Sequence, residues 1–169
     1  MTKLLLLIGL PGSGKSTWVK RLLAECPQTQ LISTDGIRGQ LFGNEAIQGH
    51  WLLILREIRR LLHQAQTQGK TVIYDATNAQ RRHRREVIAL AREFGFSHIT
   101  GLWADTPVWL CLARNQKRDR QVPEEVIFKM HRQLRDAPPT VEDGLDSLIR
   151  LSGLREYGNR THPTSENPT

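Results

Sequence analysis

Apolar residues fall along this chain in short continuous runs separated by helical stripes. Residues 2–10 are apolar almost throughout, the pattern of a strand buried on both faces. A glycine-rich turn follows, then a helix to about Glu25 that Pro27 stops. Residues 30–33 predict a short second strand. Over 45–68, Ile47, Trp51, Ile54, Ile58, Leu61 and Ala65 recur at helical spacing, and Gly69 closes the stretch. Residues 70–74 (KTVIY) are β-branched and predict a third strand. Thr77 or Asn78 is placed to cap the next helix, which runs to about Phe94. Residues 98–103 predict a fourth strand and 148–151 a fifth. Between them, 107–117 and 123–135 read as helices, each opened by a proline at or near its first turn. Strand and helix alternate from end to end. The expected fold is therefore α/β: a single domain over 1–152, with a five-stranded, mostly parallel sheet and helices on both faces. The polar stretch 153–169 reads as a loose C-terminal tail. In such a sheet, ligands bind outside the carboxyl ends of the strands.

Composition narrows the class. The chain has 169 residues, of which 38% are apolar, enough to build one core. The longest apolar run, 4–10, is far short of the ~20 residues a membrane-spanning helix needs. It leads into a glycine turn and not a cleavage site, so it does not read as a signal peptide, and the expected location is cytoplasmic. Cys26 and Cys111 are isolated and form no CxxC pair. The six histidines show no HxxH or HxxxH spacing, which argues against a zinc site. Lys and Arg number 24 against 17 Asp and Glu, a net charge of +7 with pI near 10.0. Eighteen of the 24 bases are Arg, which suits forked contacts to phosphate and polyanionic partners.

The chemistry starts at residues 9–17, GLPGSGKST, a full match to GxxxxGK[ST] between a buried strand and a helix. Gly12, Ser13 and Gly14 let backbone N–H groups converge on phosphate oxygens, and the helix N-terminus adds a positive dipole end. Lys15 is placed to reach the β- and γ-phosphates, the Ser16 hydroxyl to ligate Mg²⁺, and Thr17 to complete the motif. ATP and Mg²⁺ are thus the expected cofactors of a P-loop NTPase domain.

Two aspartates follow strands on the same rim. Asp75 ends the third strand in the manner of a Walker B acid and could hold a water on Mg²⁺. Asp35 follows the second and is the better general base for a hydroxyl acceptor, though a helix N-cap is the plainer use of such an Asp. Arg38 falls one helical turn later, where it would lie beside Asp35 and could grip an acceptor phosphate. The basic stretch 114–123 (RNQKRDRQVP) joins two helices beyond the fourth strand. It reads as an Arg-rich lid carrying Arg118 and Arg114 onto the triphosphate, or as a solvated helix face. Residues 81–85 (RRHRR) oppose the dipole of the helix they open, which suggests a polyanion nearby or plain surface charge. The four tryptophans, 18, 51, 103 and 109, fall on helix or strand positions and read as core ahead of base-stacking platforms.

Taken together, GLPGSGKST, STDGIR, YDATNAQRRHRRE and RNQKRDRQVPEEVI resemble the kinase module of 5′-hydroxyl polynucleotide kinases, and more broadly the small P-loop kinases called predicted AAA-type kinases. The resemblance spans about residues 3–151. It implies that Asp35 is general base, Arg38 binds the acceptor-side phosphate, and lid arginines, Arg118 foremost and Arg114 with it, contact the ATP phosphates. It implies a nucleic acid 5′-OH end, RNA or DNA, as the substrate partner, with no protein partner. Asp75 stands at the position of another essential family aspartate. Family members commonly carry a further repair domain, for which this length leaves no room. Relatives with the same D-x-x-R pair phosphorylate small molecules or proteins, so a small-molecule alcohol kinase and a non-catalytic ATP-dependent switch are the competing readings.

Overall fold

The computed structural model describes residues 2–47 and 49–152. Strand β1 (Lys3–Ile8) sits at the centre of a five-stranded sheet of order β2-β3-β1-β4-β5. Its partners are β2 (Gln30–Ser33), β3 (Val72–Asp75), β4 (His98–Asp105) and β5 (Ser147–Ser152), and every pairing is parallel. The strand order explains the unbroken apolar run, because a central parallel strand is covered on both sides. Leu4, Leu6 and Ile8 face one layer and Leu7 the other.

The two layers are unequal. Helix α1 (Lys15–Glu25) packs Val19 with Leu7, Ile73 and Leu102 on one face. The larger core fills the other face. It takes Ile54, Ile58, Leu62 and Ala65 from α3 (Trp51–Thr67), Val87, Leu90 and Ala91 from α4 (Arg81–Glu93), Cys111 from α5 (Val108–Gln116), and Ile127 and Leu134 from α6 (Glu124–Asp136). Right-handed crossovers produce this division. The chain leaves β1 outward to β2 by way of α1, comes back to β3 between β2 and β1, and then crosses β1 to reach β4 and β5 on the far side. The connections that leave the adjacent strands β1 and β4 run in opposite directions, which opens a crevice at their carboxyl ends.

Four expectations are corrected. Residues 34–42 form a helix, α2 (Thr34–Phe42), of which the pattern gave only the first turn; Ser33 and not Asp35 caps it, its Oγ accepting from Gly36 N at 3.2 Å. Helix α3 begins at Trp51 and not at Glu45, because Asn44 Oδ1 accepts from Ala46 N at 2.8 Å and holds an Asx turn before it. Helix α4 begins after Gln80. Neither Thr77 nor Asn78 caps it; Asn78, at φ 48°, is buried and donates instead to Leu7 O at 2.6 Å, tying β3's exit to β1. Only one of the tryptophans joins the core: Trp51 and Trp109 are 48% and 64% exposed and Trp18 is half-buried outside both clusters, whereas Trp103, also half-buried, packs against the main core.

The arginine cluster at 81–85 is corrected in part. Arg84 is fully buried and pairs with the buried Asp143, Nε to Oδ2 at 2.7 Å, from a single 3-10 turn (Val141–Asp143). It also donates to the carbonyls of Asn78, Ala79 and Ala137. Arg81 reaches the other oxygen of Asp143 at 2.8 Å. These two arginines anchor the fold, the more exposed Arg85 adds a 4.0 Å ion pair to Asp143, and Arg82 is surface charge paired with Glu86. The stretch 153–169, read above as a loose tail, lies outside the described residues.

Candidate active site

Strand register brings the chemistry together. Ser33 pairs with Asp75 across β2 and β3, so Asp35, two residues on, and Asp75 share one rim. Gly9 N donates to Thr77 O at 3.0 Å, which fastens the start of the glycine loop to the same rim. Gly12 stands at φ 80°, where a Cβ would also collide with the Cys111 carbonyl. Gly14, at φ 97°, is the N-cap of α1; a Cβ there would enter the space beneath Arg114 Nη1. The loop is thus a cradle of left-handed backbone at a helix N-terminus. The buried Ser13 Oγ, close against Gly9, has no hydrogen-bond partner.

Side chains from the fourth strand's exit hold the cradle from outside. Thr106 Oγ1 donates to Ser13 O at 2.8 Å, and Arg114 Nη1 reaches Gly12 O at 3.4 Å. Thr106 escaped the sequence reading, since a lone Thr before a proline carries no signal. Lys15 folds back on the loop, donating from Nζ to Gly9 O at 2.8 Å and to Leu10 O at 3.0 Å. Burial lowers its pKa from 10.5 to about 8, the charge of Arg118 adding to the drop while Asp75, Cys111 and Asp35 oppose it. Burial also pushes the Asp75 carboxyl up, with Lys15 opposing and Asp35 reinforcing. The Cys111 thiol beside them is pushed up to about 11 by burial, so it stays a protonated packing group.

Asp35 and Arg38 lie together on α2, Nη1 to Oδ1 at 2.8 Å, as their spacing predicts. Asp35 is 56% exposed toward the cleft, whereas Arg38 is 17% exposed and its buried Nε has no partner. Both line one open cleft of about 1910 Å³ together with Gly12, Ser13, Gly14, Lys15, Ser16 and Thr17. Asp75, Arg114 and Arg118 line it as well, so every sequence-predicted site residue converges there.

The Arg-rich segment after α5 is a closed loop and not a solvated helix face. Asn115, buried and also unmarked in the sequence, donates from Nδ2 to Val122 O at 2.8 Å and accepts from Val122 N at 3.0 Å. This double bond staples the ends of the loop that presents Arg118. Arg120 spans to the α2–α3 connection, bonding Glu45 Oε2 at 3.0 Å and Glu45 O at 3.2 Å. The Arg-rich loop and the α2–α3 connection therefore meet at the cleft.

A phosphate loop at the switch point of a five-stranded parallel sheet, faced by two acids and a stapled arginine loop, defines a P-loop kinase-type domain. The family described as an AAA domain matches residues 4–137, and the chain belongs to it. The L-seryl-tRNA(Sec) kinase of Methanococcus maripaludis is 29% identical over 142 residues, covering 81% of this chain and 54% of that protein. Among solved structures, a chain of the Pnkp1/Rnl/Hen1 RNA repair complex superposes with TM-score 0.72 at 25% identity, over 80% of this chain and 44% of its own. A gluconokinase from Sinorhizobium meliloti 1021 shares the fold, with TM-score 0.57 at 16% identity over 89% of this chain and 82% of its own. The chain thus spans about half the length of the curated relative and less than half of the repair-complex chain. Among the described residues no helix is long and apolar enough to cross a membrane.

Proposed function

We propose that this protein is an ATP-dependent phosphotransferase that moves the γ-phosphoryl group to the 5′-hydroxyl end of RNA or DNA. The observation that carries the reading is the Asp35–Arg38 pair, set across one cleft from the phosphate loop. A carboxylate beside a phosphate-binding arginine suits a hydroxyl that has a phosphodiester next to it.

The residues present fit the nucleotide and its metal. The left-handed cradle at Gly12 and Gly14 and the unpartnered Ser13 hydroxyl suit a triphosphate. The Ser16 hydroxyl and the Asp75 carboxylate, the latter through water, would hold Mg²⁺, a cation that prefers oxygen donors and keeps part of its hydration shell. When bound, the ion offsets charge on the β- and γ-phosphates.

Asp35 takes the proton of the acceptor hydroxyl as its oxygen bonds to the γ-phosphorus, and the bond to the β-bridging oxygen breaks to release ADP. Arg38 holds the phosphate on the 3′ side of that hydroxyl. Lys15, released from the Gly9 and Leu10 carbonyls, holds the donor phosphates, and Arg118 lies over the transferring group from the lid. Arg114 keeps the loop and the donor in register.

The test is transfer of label from γ-labelled ATP onto matched 5′-hydroxyl and 5′-phosphate oligonucleotides, RNA and DNA, with Asp35→Ala alongside. Label should appear on 5′-hydroxyl strands only and vanish in the variant while ATP binding persists. Near wild-type transfer by Asp35→Ala would sink the base assignment. The seryl-tRNA kinase relative supports a second reading, an alcohol carried on another molecule. Label on no oligonucleotide would favour it, with a small-molecule alcohol next.

A further inference from the structure

The acceptor side of the cleft has a wall that the phosphoryl-transfer residues do not use. Trp51, Leu55 and Ile58 stand at i, i+4 and i+7 on α3, so they share one helix face, and all three line the cleft with Asp35 and Arg38. Ile58 is buried and Leu55 half-buried, both packed into the main core. Trp51, in the helix's first turn, is 48% exposed and absent from either core cluster. A large apolar ring is held on a rigid helix with about half its surface open. It lines the same cleft as Arg38, whose buried Nε has no hydrogen-bond partner, in a chain of net charge +7.

We propose that Trp51 is the specificity-determining residue of the acceptor site, a platform on which the base of the acceptor's 5′-terminal nucleotide stacks while Arg38 holds the adjoining phosphate. This rests on the polynucleotide reading above and deepens it. The wall suits a planar π-face, which every base has, so stacking here selects nucleotides without selecting sequence. A polyol or sugar acid would leave the indole uncovered. The charged and apolar contacts then divide the work: the arginine recognises the phosphodiester, and the tryptophan recognises that a base is attached to the sugar being phosphorylated.

The experiment compares two 5′-hydroxyl oligonucleotides that differ only at the terminal nucleotide, one with a base and one abasic, in wild type, Trp51→Ala and Trp51→Phe. Wild type should show a KM for the base-bearing strand at least about tenfold below that for the abasic strand, the scale of one base–aromatic stack. Trp51→Ala should erase that difference by raising only the base-bearing KM, and Trp51→Phe should keep most of it. The KM for ATP should stay unchanged in both variants, which separates lost stacking from a damaged fold. Equal use of both strands by wild type, or an unchanged ratio in Trp51→Ala, would overturn the stacking role and leave the kinase reading intact. Phosphorylation of neither strand by wild type would overturn the kinase reading itself, and the stacking role with it.

Discussion

Lys15 is held in a state that weakens the folded protein at neutral pH. Its ammonium is buried against the loop carbonyls, and burial outweighs the attraction of Asp75 enough to bring the pKa from 10.5 to about 8. That drop is equivalent to about 3 kcal/mol against the charged form, at roughly 1.4 kcal/mol per pH decade. Its sign is set by linkage. Between pH 8 and 10.5 the unfolded chain still holds the lysine proton while the folded chain has released it. Wild-type stability therefore gains from Lys15 as pH rises through this window, and takes the full penalty below it. Lys15→Met removes the titration. Its stability relative to wild type should be most favourable near pH 7 and fall by about 3 kcal/mol by pH 10.5. The two hydrogen bonds lost at Gly9 and Leu10 set the offset between the curves but not this slope. Urea unfolding of both proteins without nucleotide, at steps from pH 7 to 10.5, measures it. A difference that stays flat within about 0.5 kcal/mol, well outside the expected linkage, would show that Lys15 is not desolvated in the empty loop. Such a penalty in the empty site is the expected mark of a group arranged for a triphosphate and not for folding.

Two further predictions concern supports that the sequence did not mark. Arg84→Met leaves the buried Asp143 with Arg81 and the more distant Arg85, and frees the carbonyls of Asn78, Ala79 and Ala137. It should cost about 3–5 kcal/mol in urea unfolding, as broken buried pairs do, and a loss under about 1 kcal/mol would show the pair to be dispensable. Asn115→Ala cuts both bonds to Val122 and unpins the loop carrying Arg118. It should lower kcat/KM for ATP roughly ten- to a hundredfold through misplacement alone. Unchanged steady-state constants would mean that this loop takes no part in transfer.

The phosphate loop and the strands were legible because each is fixed by local requirements. Buried parallel strands must be apolar throughout, and a phosphate cradle must have glycine where the backbone turns left-handed. The Asp35–Arg38 contact was legible for a similar reason, since a three-residue offset on a helix is geometry. The extent of helix α2 was not, because Gly36 and Gly39 lower its helix propensity and its stability comes from a Ser33 cap and the sheet beneath. Arg84 hides among four arginines, yet its register was available: 84, 87, 88 and 91 are the buried face of α4. What the sequence lacks is Asp143, its partner 59 residues away. Asn115 fails in the same way, as its meaning lies in a loop closure that no periodicity encodes.

The topology also says where acceptor choice resides. Donor contacts come from β1, α1 and the segment from Thr106 to Arg118, on the side of the sheet's centre that includes β4. Acceptor contacts come from the single excursion β2–α2–α3, at the sheet's far edge. Strand β3 joins the two halves, with Asp75 coupled to Lys15 on one side and to Asp35 on the other. Direct contact between the halves beyond that strand includes the exposed Arg120–Glu45 bridge, which can open and re-form as substrates pass. The excursion can therefore be rebuilt without disturbing the phosphate loop. That independence gives a physical reason why one fold serves a seryl-tRNA kinase, a gluconokinase and a chain of an RNA repair complex. On the proposed function, acceptor choice would lie in the stretch from Asp35 to Arg59, whose apolar face includes Trp51.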